Sequence, residues 1–230
     1  MYLLLAMEKE TGYLYAKGFF NELNASSYDN IVKFTTFGQD HHWKKKILKM
    51  VSTKGLVLDL ACGTGILSSL LQDNGNDVFG VDLTYGYLKV LKKKRRQLFC
   101  INGIAEVLPF KNNYFDYVVS SYLPKYANLI HLVDECFRVL KGGGKVIFHD
   151  FIFPNRVVFR KLWKLYFKIL KQAGRYLKSW NDVFNKLDSF IMASGWYNTL
   201  PEILFNKGFT NITSESLTLE TSAIMSAKKP

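Results

Sequence analysis

The stretch "VLDLACGTGILSSLL", residues 57–71, constrains this chain more than any other. β-Branched and aliphatic residues lead into a Gly63-Thr64-Gly65 turn, and a second apolar run follows at once. A strand, tight turn and helix of this kind opens a parallel α/β sheet, and the turn at the carboxyl end of the strand faces a ligand. The pattern continues. "DVFGVDLTYGYLKVLKKKRR" gives a second strand and helix, "LFCING" and "FDYVVSSY" give the third and fourth strands, "NLIHLVDECFRVL" a helix and "KVIFHDFIF" the fifth strand. Gly142 to Gly144 are expected to stop that last helix. Strands alternating with helices at this spacing require right-handed crossovers and helices on both faces of the sheet.

Outside this core the pattern changes. Residues 1–54 read as a helical cap with an aromatic-rich link, "SSYDNIVKFTTFGQDHHW", and residues 55–153 as the ligand-binding core. Residues 154–207 read as a helical insert over a substrate pocket, and 208–230 as the final strands, the last one antiparallel. At 230 residues and 26.5 kDa the chain supports one core, so 1–230 is expected to be a single domain. The expected class is α/β, a doubly wound, Rossmann-like, mostly parallel seven-stranded sheet.

Composition narrows the chemistry less. Apolar residues at 48% and charged residues at 22% are those of a folded chain. A net charge of +12 favours phosphate on nucleic acid or on anionic lipid without choosing between them. Cys62, Cys100 and Cys136 have no spacing for zinc or a disulfide framework, which points to a reducing, intracellular setting. His41, His42, His131 and His149 show no metal-ligand pattern, and no metal is expected. The opening "MYLLLAMEKE" is too short for a span and lacks a basic n-region and a cleavage site, so a cytoplasmic location is expected.

The ligand of the glycine turn follows by elimination. A P-loop needs Gly-Lys-Ser/Thr, and no lysine follows Gly65 until Lys89. A dinucleotide fingerprint needs a third glycine where Ser68 stands, and Asp59 in the crevice would repel a pyrophosphate. A nicotinamide-dependent oxidoreductase is therefore the weaker alternative. Asp59 instead favours a cationic ligand, and S-adenosylmethionine carries an ammonium and a sulfonium. Asp82, 17 residues beyond Gly65, suits the two hydroxyls of a ribose.

"VLDLACGTGILSSLL", "VFGVDLTYGYL", "AEVLPFKNNYFDYVVSSY" and "CFRVLKGGGKVIFHDF" resemble the successive motifs of class I S-adenosylmethionine-dependent methyltransferases. With "YDNIVKFTTFGQDHHWKKKIL" upstream, the set resembles the UbiE/COQ5 family of quinone-biosynthesis C-methyltransferases over residues 26–153. The resemblance implies that Asp59, Gly63 and Gly65 frame the methionine end, Asp82 takes the ribose, and Ile104 and Ala105 flank the adenine. Ala61, Cys62, Thr64, Leu83 and Ser120 complete the cofactor set, Tyr28 closes over it and Trp43 braces that segment. Five positions in three places depart from the family. Ile104 replaces an acid or amide, Pro124 and Lys125 replace an Arg-Asn pair, and Leu219 and Glu220 replace two glycines.

C-methylation of a hydroquinone gains from a general base. Asp150 is the favoured candidate, with His149 and Tyr122 beside it, and strand alternation sends only one of His149 and Asp150 toward the crevice. The expected acceptor is a hydrophobic, prenylated quinol or related lipid. A polar small molecule or RNA, or a silent cofactor-binding regulator, are the alternatives. Nucleic acid is not the expected partner, since no RNA-binding module or amino-methylation motif is present. Residues 156–178 carry eight basic residues and no acid, on one face of an amphipathic helix that is expected to dock on the core or touch an anionic membrane surface peripherally. Gly174 is a candidate break in that helix. Oligomer formation is left open.

Overall fold

Strands β1 (Leu56–Leu60), β2 (Asp77–Asp82), β3 (Phe99–Asn102), β4 (Phe115–Ser121) and β5 (Leu140–Phe151) pair in parallel, and β6 (Thr210–Leu217) and β7 (Ser222–Lys228) complete one sheet. Its order is β3-β2-β1-β4-β5-β7-β6, with β7 antiparallel to both neighbours. The computed structural model describes residues 12–52 and 54–230; the opening "MYLLLAMEKE" lies outside them. "SAIMSA" in β7 is buried throughout because it lies inside the sheet, whereas the edge strand β6 is mostly exposed and polar. The chain winds from β1 out to β3 and then returns to β4 on the other side of β1. The order therefore reverses between β1 and β4, and a crevice opens at their carboxyl ends.

The N-terminal segment folds as α1 (12–19), α2 (Glu22–Ala25), α3 (Tyr28–Thr35) and α4 (Gln39–Lys49). The crossovers carry α5 (Ile66–Asp73), α6 (Tyr85–Lys94) and α7 (Leu129–Val139), and the insert is α8 (Val157–Gly174), α9 (Asn181–Ser194) and α10 (Trp196–Lys207). One face of the sheet packs on α7 and α10 through Leu132, Trp196, Leu200 and Leu204. The other packs on α4, α5 and α6 through Trp43, Ile47, Leu71 and Leu91. A third, aromatic cluster joins the N-terminal segment to the insert, with Phe19 and Tyr126 against Trp163, Phe167, Trp180 and Phe184. No helix among the described residues is long and apolar enough to cross a membrane.

Three details differ from the sequence reading. The link "SSYDNIVKFTTFGQDHHW" is itself mostly α3 and the start of α4, with turns at 26–27 and 36–38. The glycines of "KGGGK" do not stop α7, which ends at Val139 where Leu140 becomes extended. They form a bulge in β5, since Leu140 pairs with Phe115 and Lys145 with Tyr117. A Cβ on Gly144 would lie 3.0 Å from the Asp116 carbonyl oxygen, so glycine is required there. Gly174 ends α8 rather than dividing a longer helix, and it packs closely against Phe184.

Candidate active site

The glycine turn is held by its own backbone. After β1 the chain turns with Ala61, Gly63 and Gly65 in the left-handed region. Gly65 caps α5, and a Cβ on it would lie 2.9 Å from the Leu91 Cγ, so no other residue fits. Gly63 N donates to Asp82 Oδ2 at 2.8 Å and Thr84 N to Oδ1 at 2.7 Å, which fixes the β2 carboxylate beneath the turn. Asp59 accepts from Ser68 Oγ at 2.5 Å. Burial pushes Asp59 up to about 7, against the lowering effect of Ser68 and of the Lys44 charge, and pushes Asp82 up to about 6. Two buried carboxylates held this high are complementary to a ligand that brings a positive charge and hydroxyl donors.

A crevice of about 110 Å³ lies over these groups, lined by Ala61, Gly63, Asp82, Leu83, Ile104 and Ala105 together with Tyr28 and Tyr122. A smaller recess of about 20 Å³ adjoins it, walled by Lys44, Asp59, Cys62 and Thr64. The Thr64 hydroxyl donates to Asp29, which also pairs with Lys94, so α3 is tied across the turn. Of the residues expected at the cofactor, Gly65 and Ser120 line neither space. Ser120 is buried, and its hydroxyl has no partner among the described residues.

A second cavity of about 320 Å³ lies between the N-terminal helices and the insert. It shares Phe20, Tyr28, Tyr122 and Tyr126 with the crevice, so these rings form the partition between the two. Trp43, Phe151, Phe159, Trp163, Tyr166 and Trp180 add further aromatic wall, and Lys125 is the one charged residue lining it among the described residues. Lys125 Nζ donates to Asp150 Oδ1 at 2.7 Å and to the Tyr122 carbonyl oxygen at 2.9 Å, and lies 4.4 Å from the Tyr126 ring centroid. Burial pulls the Lys125 pKa down and pushes that of Asp150 up, so the pair holds its charges less firmly than an exposed pair would.

The three candidate catalytic residues are separated by this arrangement. Tyr122 sits at the partition with a left-handed φ of 73°, stacked on Phe151 at 4.7 Å, and its hydroxyl donates to Asp40 at 2.7 Å. Neither His149 nor Asp150 lines the crevice, the recess or the second cavity. His149 is fully buried between Ser121 Oγ (2.8 Å) and Ser222 Oγ (2.7 Å), and burial first, then the Lys44 and Lys125 charges, hold it neutral. Asp150 faces Lys125, which stands between it and the cavity. Lys44 went unnoticed in the sequence as a site residue. It is buried, pairs with Asp40 one helical turn earlier and lies 4.8 Å from the Tyr122 ring centroid. Its position directly after Trp43 was the available signal. Thr84 and Tyr87, also in the crevice wall, carried none.

The ubiE/COQ5 methyltransferase family model matches residues 8–229. The ubiquinone/menaquinone biosynthesis C-methyltransferase UbiE of Blochmanniella pennsylvanica is 32% identical over 89% of this chain and 86% of its own. The demethylmenaquinone methyltransferase of Paenarthrobacter aurescens is 31% identical over 90% of this chain and 83% of its own. In fold, the chain is similar to geranyl diphosphate C-methyltransferase from Streptomyces coelicolor, solved with S-adenosyl-L-homocysteine, at a TM-score of 0.61 and 11% identity over 83% of this chain and 76% of that one.

Proposed function

We propose that this chain, which belongs to the ubiE/COQ5 methyltransferase family, is a C-methyltransferase for a hydrophobic quinol, with a demethylated, prenylated naphthoquinol or benzoquinol as the acceptor class. That it is an S-adenosylmethionine-dependent methyltransferase follows from the family. The observation that carries the acceptor class is the second cavity: about 320 Å³, walled by aromatic rings, separated from the cofactor crevice only by the four rings they share, and lined by one buried lysine. A polar metabolite or an RNA base would leave its polar groups unpartnered there.

The residues present fit the cofactor. Asp59 would take its ammonium and Lys44 its carboxylate, for both wall the small recess. Asp82 would accept from the ribose hydroxyls, and Leu83, Ile104 and Ala105 would pack on the adenine. Bound there, S-adenosylmethionine supplies a methyl group on a sulfonium, which needs a nucleophilic carbon in line. Tyr28, Phe20 and Tyr122 exclude water from the partition and present ring faces to positive charge.

The acceptor's ring carbon becomes nucleophilic when a neighbouring hydroxyl loses its proton. Lys125 stabilises the resulting oxyanion: two of its three donors are committed to Asp150 and Tyr122, and the third, beside the Tyr126 ring, has no hydrogen-bond partner among the described residues and is left for the acceptor oxygen. Asp150 acts through Lys125, holding the ammonium in place and balancing its charge, while neutral His149 and the Tyr122–Asp40 contact fix the end of β4. The methylated ring carbon then gives its proton to solvent and the ring regains aromaticity; the deprotonated oxygen takes one proton back, so that of the two protons lost one is returned and one is released per methyl transferred. Incubation with S-adenosylmethionine and a short-chain naphthoquinol, kept reduced, followed by mass spectrometry, tests the reading. A ring-methylated product formed from the reduced and not the oxidised acceptor is expected. Methylation on oxygen, or transfer only to polar metabolites, would overturn it.

A further inference from the structure

Helix α8 has three faces, not two. Trp163, Phe167, Leu170 and Gly174 are buried against the aromatic cluster. Away from them, Val158, Leu162, Leu165 and Ile169, at i, i+4, i+7 and i+11, form an aliphatic stripe whose members are between 51% and 66% exposed. Lys161, Lys164 and Lys168 project along its flank, exposed and with no carboxylate partner among the described residues. This differs from Arg156 and Lys171, which pair with Glu220 and Asp188. A row of exposed aliphatic residues on a helix without an acid is a surface made for contact.

The stripe lies at the mouth of the aromatic cavity. Leu162 belongs to both, and Phe37 (80% exposed) and Leu219 (54% exposed) also line the cavity while standing out into solvent. The hairpin that presents Leu219 keeps Thr218, Leu219 and Glu220 all in the left-handed region, which costs energy for such residues. Glu220 steadies it by accepting from Asn155 N (2.8 Å) and Arg156 N (3.1 Å) at the start of α8.

We infer that this stripe and rim form a docking surface for an anionic lipid bilayer. Leu162, Leu165, Ile169, Phe37 and Leu219 enter the acyl boundary, and Lys161, Lys164 and Lys168 lie at the headgroups. The cavity then opens into the hydrocarbon, and an acceptor with a lipid tail reaches Lys125 without crossing water. Charge selects this occupant over a second copy of the chain, because a symmetric dimer through this face would set three unpaired lysines against three more. Insertion of aliphatic side chains with lysines at headgroup level is the pattern of an interfacial helix. The delivery of acceptor rests on the quinol reading above, whereas the docking itself does not.

Flotation of the full chain with vesicles of phosphatidylcholine, with and without phosphatidylglycerol, tests it with no acceptor present. The wild type is expected to float with the anionic vesicles and to be released by salt. L165S/I169S, whose side chains are outside the cavity, is expected to bind at least about tenfold more weakly. K161E/K164E/K168E is expected to fall by about 100-fold. Unchanged S-adenosylhomocysteine binding by both variants confirms that they fold. A wild type that stays in solution, an L165S/I169S variant that floats as well as the wild type, or a dimer in sedimentation velocity that L165S/I169S dissolves, would each overturn the proposal. Vesicle binding by a protein that fails to methylate quinols would sink the function reading alone.

Discussion

The crevice at the strand ends and the cavity beneath the insert share a wall and little else. The crevice is built by backbone: left-handed turns, Gly63 and Thr84 amides on Asp82, and two carboxylates that burial holds near neutrality. The cavity is built by side chains, almost all aromatic or aliphatic, with one ammonium tied to one carboxylate. A polar cofactor needs fixed directional partners, and short turns supply them. An apolar acceptor needs volume and dryness, which packed helices supply, with charge only where the reaction develops it. This division predicts that damage on one side leaves the other intact.

The largest effect is expected at Lys125. K125M should lower kcat by about 100- to 1000-fold, the usual loss on removing an oxyanion donor, with the cofactor Kd unchanged. Because it strands Asp150 without its cation, stability should also fall by ~3–5 kcal/mol, and K125M/D150N should regain the fold but not turnover. Thermal melts alongside stopped-flow rates separate the two effects.

On the crevice side, D82A should weaken S-adenosylhomocysteine by about 100-fold in calorimetry, from two charge-assisted hydrogen bonds, without moving the acceptor's KM. A shift in acceptor KM as large as the shift in cofactor Kd would break the division.

The pH dependence should be smaller and one-sided. Burial raises Asp59 from 3.8 to about 7, and its ionised form is the one that binds an ammonium. Cofactor affinity is therefore full above that value and declines as pH falls through it, by about tenfold per pH unit. Asp82, raised to about 6, steepens the fall at lower pH. Calorimetry of D59N between pH 5 and pH 8 should show weak binding with the upper step gone.

The smallest change should be a gain. I104N restores a side chain able to hydrogen-bond the adenine and should tighten the cofactor by about fivefold, on the order of 1 kcal/mol. No gain would mean that the base lies away from Ile104.

The two regions also differed in how much of them the sequence revealed. Asp59, Gly63, Asp82, Leu83, Ile104 and Ala105 lie at or just past the carboxyl ends of strands whose apolar runs and turns are local, so the sheet and its crevice could be read directly. The cavity depends on contacts between residues far apart in the chain. Tyr166 donates to the Thr35 carbonyl oxygen (2.7 Å), Trp180 to Ser27 Oγ (2.9 Å) and Trp43 to Thr218 Oγ1 (2.9 Å). Helical periodicity marks Trp163 and Phe167 as an inner face but does not say what they meet. It also hid the outer aliphatic stripe of α8, whose members fall between the buried and basic arcs. Lys125 stood out as a departure from the family, yet its pairing with Asp150 required β4 and β5 to be side by side.

The claim that crevice and cavity are two halves of one reaction is tested most directly by a single turnover. Protein loaded with one equivalent of S-adenosylmethionine carrying a ¹³C methyl group is mixed anaerobically with a short-chain naphthoquinol, and the label is followed by carbon NMR. The account predicts that the signal leaves the sulfonium and appears as a methyl on a ring carbon in the wild type, with K125M slowed in proportion to its kcat. A label that stays on the sulfonium in the wild type while both ligands are bound, or that appears on an acceptor oxygen, would contradict it.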